Sequence, residues 1–209
     1  MLEWGGRQDG VKKRMALAEP QTKTRISYDQ FEAFLTQPEH AGRHFELIDG
    51  EIVEKSMPTE EHGEVTGNIF GPLWVFNQQR KLGRVVVEVL YRAPTDPNNA
   101  RQPDISFTLN TSEPVVTKGA VPRMPDLAVE IKSPTDTYKD MREKAYYYLA
   151  HGSKRVWLVY PEKRQIEVIV NDDFQLLGES DVLDGGDLLP GFALPVSAIF
   201  PVVEKGQDA

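Results

Sequence analysis

Residues 126–132, with the sequence DLAVEIK, place Leu, Val and Ile at odd positions and polar or small residues at even positions. This alternation is typical of a β-strand, whose successive side chains point to opposite faces. Apolar residues at helical spacing then predict a helix over 137–150, and residues 156–160 predict another strand. Strand, helix and strand joined by short connections form a right-handed βαβ crossover, so the sequence predicts an α/β fold.

The segments before this unit supply further elements. Asp49-Gly50 is a dipeptide that hairpin turns favour, and it predicts a hairpin over 44–56. Apolar residues at helical spacing after Thr59 predict a helix towards Arg80, with a kink or break at Gly71-Pro72. Strands are predicted over 85–91, 103–109 and 165–170, and a short helix from Ser27 to Leu35. Residues 171–200 are turn-rich.

Composition limits the class of protein. The chain has 209 residues, a net charge of −8 and no cysteine. This length suits one domain, which we place at 23–203 after a flexible extension at 1–22. The absence of cysteine excludes disulfides and is compatible with a cytoplasmic location, and no apolar run is long enough to span a membrane. The acidic charge means that nucleic-acid binding requires a local basic patch or bound cations.

Carboxylates on two of the predicted strands indicate a metal site. Glu130 and Lys132 are expected on one face of their strand, roughly 6 to 7 Å apart. Asp104 follows Pro103 at the start of a strand, and if the strands are neighbours it can share one Mg²⁺ with Glu130. Asp126 follows another proline, but it lies four residues before Glu130, roughly 13 Å away. We therefore prefer Asp104.

Other side chains have a functional and a structural interpretation. Glu-x-Lys alone is also consistent with an ion pair on a solvated sheet face. Glu46 could be a further acid near the metal or a surface carboxylate, and His62 could contact a phosphate or simply be exposed. A group of basic residues could form a phosphate-binding rim or solvated faces: Lys139, Arg142, Lys144, Lys154 and Arg155. Tyr146, Tyr147 and Tyr148 suit packing, with base stacking as the alternative.

The order of these parts resembles the PD-(D/E)XK nuclease superfamily. The stretches FELIDGEI, RQPDISF, PDLAVEIKSP and YYYLAHGSKRVWLVYP resemble its Uma-type restriction-endonuclease group, over about residues 26 to 200. The resemblance implies a restriction-endonuclease-like α/β core, a mixed central β-sheet flanked by helices. It also implies Asp104, Glu130 and the Ile131 carbonyl as metal ligands and Lys132 as the superfamily's lysine, which many Uma-type members lack.

From this resemblance we expect an endonuclease dependent on Mg²⁺, or on Mn²⁺, that hydrolyses DNA phosphodiester bonds. Its site would comprise Asp104, Glu130 and Lys132, with Glu46 and His62 as additional candidates. A homodimer is expected by analogy, because two copies of a site can cut two strands. Two alternatives stay open: an inactive module that binds nucleic acid or a partner, and a metal-free glycosidase that uses paired carboxylates.

Overall fold

The computed structural model describes residues 25–109, 112–171 and 173–201. The extension expected at residues 1–22 lies outside these described residues. The helices are α1 (Tyr28–Leu35), α2 (Glu60–Arg80) and α3 (Tyr138–Ala150). The strands are β1 (Phe45–Ile48), β2 (Glu51–Glu54), β3 (Gly83–Val87), β4 (Ile105–Leu109), β5 (Leu127–Ile131), β6 (Arg155–Tyr160), β7 (Gln165–Val170), β8 (Asp173–Leu177), β9 (Val182–Asp184) and β10 (Ala193–Pro195).

The central sheet has six strands in the order β3-β4-β5-β6-β7-β8. Within the described residues, β5 and β6 are parallel and the other neighbours in this sheet are antiparallel. The parallel pair is joined through α3, as the sequence pattern predicts. Strands β1 and β2 form a separate hairpin, and β9 pairs with β10. The predicted mixed α/β sheet flanked by helices is therefore confirmed.

The two faces of the central sheet bury different side chains. On one face, Ile105, Val129 and Trp157 belong to a core that includes Ile69 and Leu73 of α2. On the other face, the alternate strand residues join Met141, Ala145 and Tyr148 of α3. Because strand side chains alternate between faces, each strand contributes to both layers. Helix α3 therefore lies on the face to which Glu130 points.

Local sequence signals define most of the element ends. Ser27 and Gln30 form a capping box on α1, and Thr137 and Asp140 form another on α3. Asp49 and Gly50 both have positive φ, at 50° and 81°, as a type I′ hairpin turn requires.

The structure differs from the predicted elements, or adds to them, at three places. Helix α2 continues through Pro72 without a break, with the side chains of Val65, Ile69 and Leu73 buried in the core. Strand β3 ends at Val87 rather than at residue 91, because Glu88 has a φ of 52°. The turn-rich segment 171–200 contains the short strands β8, β9 and β10.

Candidate active site

Asp104 and Glu130 are brought together by the pairing of β4 with β5. Ile105 lies opposite Val129 in this antiparallel ladder, so extending the register by one residue places Asp104 opposite Glu130. Side chains directly opposite one another on antiparallel strands have Cβ atoms about 4.5 to 5.5 Å apart. The two carboxylates are only 4% and 2% exposed. The pair therefore lies in a nearly buried position at one end of the sheet.

Asp104 is surrounded by donors. Lys55 Nζ lies 3.0 Å from Oδ1, and His62 Nε2 lies 3.3 Å from Oδ2. The Ile131 backbone N–H donates to Oδ2 at 2.7 Å. Burial alone would raise the pKa of Asp104, but Lys55 and His62 outweigh it and lower the pKa. Asp104 is therefore held as a carboxylate.

Glu130 has a different balance. The Tyr148 hydroxyl donates to Oε1 at 2.6 Å, and Lys144 Nζ lies 3.3 Å from Oε2. Burial raises the pKa of Glu130, and the charge of Asp104 adds to the rise while Lys144 opposes it. Burial, followed by the charge of Glu130, likewise raises the pKa of Tyr148 well above its usual value. Tyr148 therefore remains a hydrogen-bond donor to Glu130.

Lys144 links Glu130 to a third buried carboxylate. Its Nζ lies 3.3 Å from Glu46 Oε2, and the Gln102 backbone N–H donates to Glu46 Oε1 at 2.7 Å. Burial opposes the charged form of Lys144, but Glu130 and Glu46 outweigh it, and the pKa is raised. The pKa of His62 is also raised, since Asp104 outweighs burial there. We call this group the carboxylate cluster: Glu46, Lys55, His62, Asp104, Glu130, Lys144 and Tyr148.

Lys132 is the predicted site residue that the structure does not bring to the carboxylate cluster. It follows the last residue of β5, and its Nζ lies 3.4 Å from Glu162 Oε1. The same ammonium donates to the Ser133 carbonyl and lies 5.5 Å from the ring centre of Tyr138. The ammonium groups beside the carboxylates are instead those of Lys55 and Lys144.

The sequence analysis did not single out Lys55, it assigned Tyr148 to packing or base stacking, and it assigned Lys144 to a phosphate-binding rim or a solvated face. Lys144 and Tyr148 are four residues apart, which puts them on one face of α3. Met141 and Ala145 share the buried side of that helix, and this was the available signal that Lys144 faces the sheet. Lys55 follows β2, and nothing local indicates which carboxylate it reaches.

The other basic residues do not form a common rim. Lys139 pairs with Glu143, Arg142 with Glu167, and Lys154 with Asp126. Arg155 lies beside Asp184. Asp126 also accepts the Leu109 backbone N–H, which fixes it at the other end of β4. Each of these side chains thus serves a separate local contact.

The carboxylate cluster lies at the base of a cleft of about 1050 Å³. The walls come from the β1–β2 hairpin, the start of α2, and α3. Asp104, Glu130, Ile131 and Lys144 line this cleft, whereas Lys132 does not. A solvent-connected cavity with convergent polar groups at its base is the usual form of an active site.

The oxygen donors of the carboxylate cluster suit a hard divalent cation. Asp104 and Glu130 supply carboxylates, and Ile131 lines the same cleft beside them. Mg²⁺ is commonly held by one or two carboxylates, with waters completing its shell. Over the described residues, no group of three or more His, Cys, Asp or Glu is arranged as a metal site. Carboxylate oxygens are ligands of the kind that hard divalent cations accept.

The fold and the position of the site define an α/β protein of restriction-endonuclease-like architecture. A model of the Uma2 family, described as "Putative restriction endonuclease", matches residues 30–197. The chain therefore belongs to the Uma2 family, which confirms the resemblance seen in the sequence.

Two solved structures are similar to this chain. One, from Anabaena variabilis ATCC 29413, is described as "a putative nuclease belonging to DUF820"; it is 20% identical, has a TM-score of 0.70, and the match covers 84% of this chain and 97% of that one. This likeness shows the fold. A cryoEM structure of a DrdV–DNA complex is 15% identical to this chain. The match covers 50% of this chain and 9% of that one, with a TM-score of 0.33. No curated protein matches the chain. No described helix is long and apolar enough to cross a membrane.

Proposed function

We propose that this chain is a metal-dependent endonuclease that hydrolyses DNA phosphodiester bonds in the cleft. The observation that carries the proposal is the convergence of Asp104 and Glu130 with two ammonium groups at the base of that cleft. Membership of the Uma2 family, with its endonuclease description, supports it. The nuclease description of the relative with the same fold supports it as well.

Apart from Tyr148, each side chain of the carboxylate cluster has a role in this proposal. Asp104, Glu130 and the Ile131 carbonyl hold the divalent cation, Mg²⁺ or Mn²⁺. When bound there, such a cation polarises the phosphoryl group and lowers the pKa of an attacking water. Lys55 and His62 keep Asp104 ionised. Glu46 keeps Lys144 protonated beside Glu130, where its ammonium can stabilise negative charge that develops on the phosphoryl oxygens.

In this proposal Lys144 takes the role that the family resemblance assigns to Lys132. Lys144 Nζ lies within 3.3 Å of two of the buried carboxylates, while the Lys132 ammonium is directed to Glu162. Proximity to the carboxylates supports Lys144, because electrostatic stabilisation requires a charge next to the reacting atoms. Lys132 is retained as the matched control.

A second candidate function is a binding module that performs no chemistry. One observation favours it: Lys55 and His62 already contact both carboxylate oxygens of Asp104, which neutralises that ligand from within the protein. Such a module would bind nucleic acid or a partner with an affinity indifferent to Glu130 and to added Mg²⁺.

The test is a cleavage assay on supercoiled and single-stranded DNA with Mg²⁺, Mn²⁺ or EDTA. Wild type, Glu130→Gln, Lys144→Gln and Lys132→Gln are compared after circular dichroism has shown that each is folded. We expect EDTA to abolish cleavage, Glu130→Gln and Lys144→Gln to lower the rate by about a hundredfold or more, and Lys132→Gln to retain it. Absence of metal-dependent cleavage by the folded wild type would favour the binding module. Chelator-resistant hydrolysis would favour metal-free carboxylate chemistry.

The remaining expectations belong to the same proposal. DNA and a second copy of the chain are the proposed partners, since two-fold dimers are the commonest closed assemblies of soluble proteins. The proposed location is the cytoplasm, with which a chain lacking cysteine is compatible.

A further inference from the structure

The carboxylates of the cluster are buried where they line the cleft. Glu46, Asp104 and Glu130 are 2–4% exposed at its base. A phosphate group of the substrate must therefore enter the cleft to reach these carboxylates.

The negative charges along the rim of the cleft repel a polymer whose phosphates are closely spaced. The described lining residues outside the carboxylate cluster include six carboxylates: Asp49, Glu54, Glu88, Asp136, Asp140 and Glu143. Two guanidinium groups, those of Arg43 and Arg101, share this rim. Arg43 is paired with Glu54, and Arg101 lies over the Tyr147 ring. Duplex DNA carries a negative charge every ~1.7 Å along its axis and is repelled more strongly than one strand with half that density.

Three large apolar side chains are exposed along the cleft, and one of them is aromatic. Tyr146 of α3 is 50% exposed, Met57, between β2 and α2, is 91% exposed, and Val53 of β2 is 40% exposed. All three line the cleft. An exposed aromatic ring on the wall of the cleft suits the face of an unpaired base, and such stacking is tolerant of sequence.

We propose that the substrate of this cleft is single-stranded DNA, with one phosphate at the carboxylate cluster and a neighbouring base stacked on Tyr146. The inference deepens the proposed function and rests on it for the chemistry, though the binding preference can be measured separately. Unpaired bases can turn towards the Tyr146 ring, whereas bases inside a duplex present only their edges. Met57 adds an exposed apolar side chain to the lining of the same cleft.

The test measures binding to the wild-type protein in EDTA, where no cleavage is expected, by fluorescence anisotropy. The probes are a labelled oligothymidylate and the same strand annealed to oligodeoxyadenylate. We expect the single strand to bind at least about tenfold more tightly than the duplex. Tyr146→Ala should weaken single-strand binding by about 5- to 150-fold, the range expected for one stacked base. Tyr146→Phe should restore the affinity, because it keeps the ring.

Trp74→Ala is the matched control, since Trp74 is a half-exposed aromatic residue that does not line the cleft. It should leave both affinities unchanged. Equal or tighter binding of the duplex would overturn the inference, as would a Tyr146→Ala variant that binds the single strand like its parent. A parallel cleavage assay on wild type separates the two proposals. Stacking on Tyr146 without cleavage contradicts only the proposed function, and cleavage with no dependence on Tyr146 contradicts only this inference.

Discussion

Removal of the Lys144 ammonium should lower the free energy of unfolding more than most single substitutions in the chain. In Lys144→Met the apolar stem remains, while Glu46 and Glu130 both lose an ammonium that lies 3.3 Å away. Breaking a buried ion pair by removing one partner costs about 3–5 kcal/mol, because the other charge stays buried without compensation. Since domains are stable by about 5–15 kcal/mol, the variant should lose a large part of its free energy of unfolding.

Lys132→Met provides the comparison. The Lys132 ammonium faces Glu162, whose side chain is 45% exposed and can be solvated when its partner is lost. An ion pair of that kind contributes up to about 1 kcal/mol. Urea unfolding of wild type and both variants, followed by circular dichroism at neutral pH, measures the two costs. Equal costs for the two lysines would refute the reasoning.

The pH dependence gives a second check on the same variant. Burial already raises the pKa of Glu130 in the folded protein, and loss of Lys144 should raise it further. A carboxyl whose pKa is higher in the folded state favours folding at low pH, and this contribution is lost as the pH rises through the folded pKa. The stability difference between wild type and Lys144→Met should therefore narrow as the pH falls. The double variant Glu130→Gln/Lys144→Met should recover part of the free energy of unfolding that Lys144→Met loses. If it recovers none, the contact between Lys144 and Glu130 is contradicted.

Three further predictions concern other parts of the chain. Gly50→Ala should lower the free energy of unfolding by about 1–2 kcal/mol in urea, because Gly50 has a φ of 81° and an added Cβ would lie 2.7 Å from Arg25 Cβ. Gly67→Ala should instead raise it by up to about 1 kcal/mol, because Gly67 lies inside α2 with open space around the added Cβ. Saturating Mg²⁺ should raise the free energy of unfolding, by ~2.7 kcal/mol at a hundred times its Kd, and Glu130→Gln should abolish most of that gain. Light scattering should give a mass of twice 23.6 kDa for the expected homodimer, and a monomer mass at high concentration would contradict it.

The sequence predicts the carboxylates of the site better than it predicts the cations. Asp104 and Glu130 are found because each lies on a strand with clear alternation, and antiparallel neighbours place them opposite one another. Lys132 shares the expected face, but it lies just beyond β5, and its long side chain reaches Glu162, which follows β6. That contact depends on tertiary structure 30 residues further along the chain, which local periodicity does not contain.

The departures in secondary structure have a similar cause. A proline inside a helix is unfavourable locally, yet α2 continues through Pro72 with a buried stripe on either side of it and a Thr59 cap at its start. Strand β8 is mostly exposed at the edge of the sheet, so its short sequence lacks the apolar alternation of the inner strands. Tertiary packing and edge pairing decide both cases.

The β1–β2 hairpin is attached to the rest of the protein by a hydrophobic cluster shared with α1, by backbone hydrogen bonds and by residues of the site. Leu47 and Ala100 exchange two backbone hydrogen bonds, and the remaining links include the contacts of Glu46 with Lys144 and of Lys55 with Asp104. Local opening of a segment is governed by the contacts that it alone must break. Amide hydrogen exchange in the hairpin should therefore report on the cleft, and a cation that draws Asp104 away from Lys55 should speed exchange at the Leu47 amide while β5 and β6 stay protected.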